Sequence, residues 1–220
     1  EEAGDPYQKE IEGCASLVMK QLEKIVHHPN PYINEKAFVS MVRYFPKESM
    51  VRLMENMNTD NLIIRRKSVK ALGEFGHEVF IPVMNLFLET DSRDIRTTCL
   101  KVFVRVASRD VNRPFPENVM RIIHIAMADE NPEVILTVIS LLRQLEHQGL
   151  DLLQKAAKNT NVLRASAAIT AMGEIDSQIV EESLKEIIND NSSSPLVLES
   201  AKDALQCYIN RKNYAKDLSN

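Results

Sequence analysis

The sequence predicts an all-α protein, a right-handed α-solenoid of about five to six helix pairs. Three observations predict it. A segment recurs along the chain at a spacing near 31 residues. No stretch alternates apolar and polar residues as a half-buried strand would. The 220 residues include only six Gly, seven Phe and five Tyr, with no Trp, and strand-rich domains lean on glycine turns and aromatic pairs. Apolar residues make up 44% and charged residues 26%, which excludes a disordered chain.

The repeat is read from one segment and its copies. Ser68-Val-Lys-Ala-Leu-Gly-Glu-Phe75 returns 100 positions on as Ala168-Ile-Thr-Ala-Met-Gly-Glu-Ile175. Fainter copies start at Ala37, Cys99, Val138 and Ser200. The second residue of each copy forms a ruler: Phe38, Val69, Leu100, Ile139, Ile169 and Ala201, with gaps of 31, 31, 39, 30 and 32. The long gap holds an insertion, Ser108 to Glu117, whose Pro114 and Pro116 block helix continuation, so a loop is expected there.

Each element follows from this ruler. Residues 1–6 read as an acidic tail. Residues 7–30 hold an opening helix, with Ile11, Cys14, Leu17, Val18, Leu22 and Ile25 on one face to cap the array. The solenoid spans 31–210, and 211–220 form a C-terminal tail. In the second pair, Asn61 sits near an N-cap, while Ile64, Ser68, Leu72 and Phe75 share one helical face. Gly73 is small enough for a close helix crossing, and Gly76 suits the position that ends a helix. The other pairs are Pro31–Phe45 with Lys47–Met57, Arg93–Ala107 with Glu117–Ala128, Pro132–Leu145 with Leu150–Lys158, and Leu163–Ile175 with Gln178–Asn189. Pro195–Ile209 closes the array.

The run Asp60 to Gly76, followed by Val79-Phe-Ile-Pro-Val-Met-Asn-Leu-Phe-Leu88, resembles a HEAT repeat. It is most similar to the HEAT-like repeats of phycobilisome lyases and their non-lyase relatives, and the resemblance covers about Pro31 to Ile209. It implies an interaction scaffold, with the first helix of each pair convex and the second concave. No catalytic residue is carried across, because such repeats are defined by core positions.

Composition and motifs narrow the chemistry. The longest uncharged apolar stretch, such as Val134 to Leu142, is half of what a membrane span needs, so no span is expected. Cys14, Cys99 and Cys207 are odd in number and widely spaced, which points to a reducing intracellular compartment, and each is read as a small core residue. That compartment is the cytoplasm, or an organelle matrix or stroma after removal of a leader. Five His include no HxxxH pair. Deoxyhypusine hydroxylase, a HEAT family, holds two irons through several His-Glu pairs, whereas this chain has one, His77-Glu78. No metal and no cofactor is therefore expected, and no phosphate loop or nucleophile motif occurs.

Two surfaces are candidates. The segment Asn61–Arg113 carries ten basic and six acidic residues, and Arg66, Lys70, Lys101 and Arg105 form a basic surface row. That row could meet an acidic partner or RNA, or it could pair with acids of neighbouring repeats. Net charge of −4 and few aromatics argue against nucleic acid. The second candidate is the helix of Val79–Thr90. Aligning second helices on Asp60, Asp91, Asp129 and Asn159 puts Ile81, Met84 and Leu88 in the core. It turns Val79, Val83 and Leu86 outward, where the other helices carry Arg52 and Glu55, Arg121 and His124, or Asp151 and Gln154. Either another part of the chain or a partner covers that stripe.

The expected function is a non-enzymatic scaffold or adaptor for a protein or peptide partner, also as a subunit of a larger assembly. The alternatives are a bilin-lyase-like or cofactor-assembly factor, as the resemblance implies, and an RNA-binding repeat protein.

Overall fold

The computed structural model describes residues 6–190 and 193–217. The elements are α1 (Pro6–Ile25), α2 (Pro31–Tyr44), α3 (Pro46–Asn56), α4 (Leu62–Leu72), α5 (Phe80–Glu89), α6 (Arg93–Ala107), α7 (Glu117–Met127), α8 (Pro132–Gln144), α9 (Leu150–Ala157), α10 (Val162–Gly173), α11 (Gln178–Asn189) and α12 (Pro195–Asp217). Short 3-10 turns occupy Gly73–Val79, Asp110–Asn112 and Glu146–Gln148. Among the described residues there is no strand. The fold is all-α, of the HEAT/armadillo solenoid class. Five helix pairs, α2–α3 through α10–α11, stand between single helices at either end.

Why the first helices begin where they do is a matter of backbone amides. The opening amides of a helix have no partner within it. Asn30, Asn61, Ser92, Asn131 and Asn161 supply one at α2, α4, α6, α8 and α10: each side chain accepts from an amide two or three residues on. The residue two places earlier repeats the device. His28 Nδ1, Thr59 Oγ1, Thr90 Oγ1, Asp129 Oδ1 and Asn159 Oδ1 accept from the cap residues' own amides at 3.0, 3.3, 3.1, 2.8 and 2.9 Å. In every one of these five copies the ruler residue lies eight places after the cap, and Phe38, Leu100, Ile139 and Ile169 are buried.

Two compact units, 1–83 and 84–220, contain these elements. In the first, α2 packs on α1, α3 and α4, and α3 packs on α4. Leu53, Met57 and Leu72 are wholly buried there. In the second, α6, α8, α10 and α12 stack in one layer, each on the next. Helix α9 packs against the first helices on both sides, α8 and α10, and α7 packs against α8. The α10–α12 crossing is close: a Cβ added to Gly173 would stand 2.8 Å from the Ala204 methyl carbon. Gly173 is the copy of Gly73, which is buried and caps the end of α4. Gly76, with φ of 59°, adopts the left-handed backbone that glycine favours and ends the α4 pair turn.

Three expectations change. The tail at 211–220 is helical as far as Asp217, because Arg211 donates to the carbonyls of Gly173 and Glu174, and Lys212 reaches Glu181 at 3.5 Å. The acidic residues 1–5 lie outside the described residues, and Pro6 already belongs to α1. Along α1 and the turn after it the inward residues are Met19 and Val26, flanked by the half-buried Ala15 and Leu22, whereas Cys14, Leu17, Val18 and Ile25 are exposed. The apolar arc of α1 is broader than the surface α2 covers, so the face chosen from sequence lies beside the buried one.

The insertion is a loop, as expected, and it is fastened. Phe115 is buried and packs edge-on against Phe103, with ring centroids 6.4 Å apart. Gln148 accepts from the Phe115 amide at 2.8 Å and donates to the Phe115 carbonyl at 2.6 Å. Arg113 donates to the Gln144 carbonyl at 2.6 Å and pairs with Glu146 at 2.8 Å.

Two measurements check this packing. Leu72→Ala empties a fully buried site and is expected to cost about 2–5 kcal/mol in denaturant unfolding. Asn131→Ala removes the acceptor for two amides of α8 and is expected to cost about 1 kcal/mol; an unchanged melting temperature for either variant contradicts the packing or the cap.

Candidate functional site: a cleft between second helices

Helix α9 is short and two-sided. Leu152, Leu153, Ala156 and Ala157 face the core, and Asp151, Gln154, Lys155 and Lys158 lie on the other side. Helix α11 follows the same logic, with Val180, Leu184 and Ile187 inward and Glu186 outward. Between the two lies a cleft of about 340 Å³, floored by Met172, Ala157 and Ile187 and edged by Asp151, Lys155, Lys158 and Glu186. Gln154 donates to Ser183 Oγ at 2.7 Å and ties the two helices together. A second cavity of about 660 Å³ shares Ala157, Lys158, Glu186 and Ile187 with the first and continues toward Thr160 and Val197. None of Asp151, Lys155, Lys158 and Glu186 makes an ion pair or a side-chain hydrogen bond with another described residue. An apolar floor with charged groups of both signs at its edges suits a flat ligand that carries anions and N–H donors.

The stripe Val79, Val83 and Leu86 is not the outward face. Val79 and Val83 have no exposure and Leu86 is half-buried, while Ile81 and Leu88 are 66% and 57% exposed. Against α7 and α9 the alignment slips by one residue; α3 differs, since its Arg52 stands at the same place as Val83 and is exposed. The cap turns align Thr59, Thr90, Asp129 and Asn159; Asp60 and Asp91 stand one place later. One residue turns a helix by about 100°, so Val83 takes the place of Ile122 and Leu152, both buried.

The basic residues are all exposed, but not all are available. Lys70 pairs with Glu35, and Lys101 pairs with Glu133 at 3.0 Å. Arg66 and Lys70 belong to one compact unit, Lys101 and Arg105 to the other. Arg143 and Glu174 repeat the same lateral pairing between α8 and α10.

Other groups sort simply. His77 stacks on Phe80 at a centroid distance of 5.1 Å. Among the described residues no three His, Cys, Asp or Glu side chains are grouped to hold a metal. Cys99 is buried, and burial pushes its thiol up to about 12. Cys14 and Cys207 are exposed, against the expectation that all three are core residues. The cleft itself escaped the sequence reading, since Lys155 and Lys158 look like ordinary solvated lysines until the cap turns fix the rotation of α9.

The corrected rotation of α5 has a direct test. Val83→Asp buries an unpaired carboxylate and is expected to lower the melting temperature sharply. Ile81→Asp, on the exposed side, is expected to stay within about 0.5 kcal/mol of the parent; the reverse order restores the stripe read from sequence.

No protein-family model matches the chain. A designed armadillo repeat protein in complex with the peptide (KR)4 overlays with a TM-score of 0.47 at 12% identity, over 93% of this chain and 95% of that one. The ferrochelatase of Synechococcus sp. (strain WH7803) is 31% identical over 140 residues, which is 62% of this chain and 33% of the ferrochelatase. The bilin biosynthesis protein CpeZ of Synechococcus sp. (strain WH8020) is 30% identical over 182 residues, which is 80% of this chain and 96% of CpeZ. With that identity over nearly the full length of CpeZ, the chain belongs to the family of this bilin biosynthesis protein.

Proposed function

We propose that the chain is an accessory factor of bilin biosynthesis: a HEAT-repeat scaffold that holds a bilin and presents it to a protein partner, without making or breaking bonds itself. The match along nearly all of CpeZ carries this reading. The ferrochelatase match supports it, since two relatives that share these repeats bear names from tetrapyrrole chemistry. No described helix is long and apolar enough to cross a membrane. CpeZ and the ferrochelatase named above are Synechococcus proteins, and the proposed compartment is the cytoplasm. Compared with the adaptor expected from sequence, the bilin moves from alternative to central ligand, and the protein partner remains as its recipient.

The test is a spectroscopic titration of the purified chain with biliverdin, a linear tetrapyrrole. A flexible chromophore held in one chiral conformation gains a circular-dichroism band and a shifted absorbance. Both are expected to saturate at one bilin per chain, with a dissociation constant near 1 µM, about −8 kcal/mol. A spectrum equal to that of free biliverdin at all ratios rejects the reading.

A second reading, an adaptor for proteins alone, is favoured by α1, where Leu17 and Val18 are 60% and 48% exposed. An exposed apolar pair of this kind marks a contact surface. It predicts that Leu17→Asp abolishes co-elution with a purified phycobiliprotein subunit while biliverdin binding stays absent in every variant.

A further inference from the structure

We propose that the cleft between α9 and α11 is where the tetrapyrrole sits, with Lys155 and Lys158 receiving its two propionates. The proposal rests on the bilin reading above and adds a place and a contact set to it.

The ligand has three chemical features. It is flat and apolar over most of its area, it carries two carboxylates, and its pyrrole rings offer N–H donors. The cleft answers each. Met172, Ala157 and Ile187 give the apolar floor. Lys155 lies in the last turn of α9 and Lys158 caps its C-terminus, and both edge the cleft. Neither ammonium pairs with a described carboxylate, although the lateral lysines Lys70 and Lys101 do. Asp151 and Glu186, acceptors with no described partner, remain for the N–H groups. The Gln154–Ser183 hydrogen bond holds the two helices at a fixed separation across the cleft.

The number of cations separates the cavities, and size does not. The cleft and its continuation, about 340 and 660 Å³, fall in the range of about 300–1,000 Å³ common for ligand sites. The cavity in the first unit, about 420 Å³, is edged by Arg43 with Glu74 and Glu78. That cavity offers one cation, whereas the α9–α11 cleft offers two ammonium groups, one for each propionate.

The chemistry named here is that of any dipropionate tetrapyrrole, linear or cyclic. The experiment therefore uses biliverdin, biliverdin dimethyl ester and protoporphyrin IX as probes. The proteins are the parent chain, Lys155→Glu/Lys158→Glu, Lys155→Gln/Lys158→Gln, and the control Lys202→Glu on α12. The lysines are not part of the core, so the variants are expected to melt with the parent. Biliverdin affinity should fall at least tenfold in the charge-reversed variant, less in the glutamine variant, and not in the control. The dimethyl ester should bind the parent weakly and show no dependence on the lysines. Lysine-dependent binding of biliverdin alone assigns the cleft to linear tetrapyrroles; the same dependence for protoporphyrin IX extends it to cyclic ones. Equal biliverdin affinity in parent and both lysine variants overturns the cleft and leaves the bilin reading standing. Absence of biliverdin binding by the parent overturns both.

Discussion

A hydrogen bond made five times organises this chain: the amide of a helix-capping residue is taken up by the side chain two places before it. His28, Thr59, Thr90, Asp129 and Asn159 differ in chemistry and share one geometry. The bond closes a tight turn, and the cap that follows fixes the first helical amides. Together they set where each first helix starts and therefore which of its residues point inward. The buried ruler residues follow from that start.

This dependence explains what could be read from sequence. The first helices were legible because their caps and apolar ruler repeat with one spacing, and the bounds of α6 agree at both ends. The second helices were legible in extent and not in rotation. Asp60 and Asp91 look like natural turn residues, but they stand between the two positions that bond, so an alignment on them turns α5 by one residue. Val79 and Val83 were thereby exchanged with Ile81 and Leu88. The end of α12 was missed because its support is a donor side chain, Arg211, acting on carbonyls of α10. The cleft was invisible because it is built by helices far apart in sequence.

The surface charges divide into two kinds. Lys70–Glu35, Lys101–Glu133 and Arg143–Glu174 link adjacent first helices laterally. Exposed pairs of this kind contribute about 0–1 kcal/mol each, so their effect is on register more than on stability. The charges edging the α9–α11 cleft have no such role within the described residues, which is why a ligand can use them without first breaking a structural contact.

Asp129 occupies a position in this scheme that no other turn residue shares among the described residues. Its carboxylate accepts the Asn131 amide at 2.8 Å and meets Arg96 of α6 at 3.2 Å, and its carbonyl accepts from Arg164 of α10 at 3.0 Å. One residue thus ties three consecutive first helices, α6, α8 and α10. In a one-dimensional array, where each repeat ordinarily feels only its neighbours, such a knot lengthens the stretch that must open together. Residues 93–173 are then a single cooperative block for local opening, and the ends of the second unit can fray without loosening the walls of the cleft nearest that block.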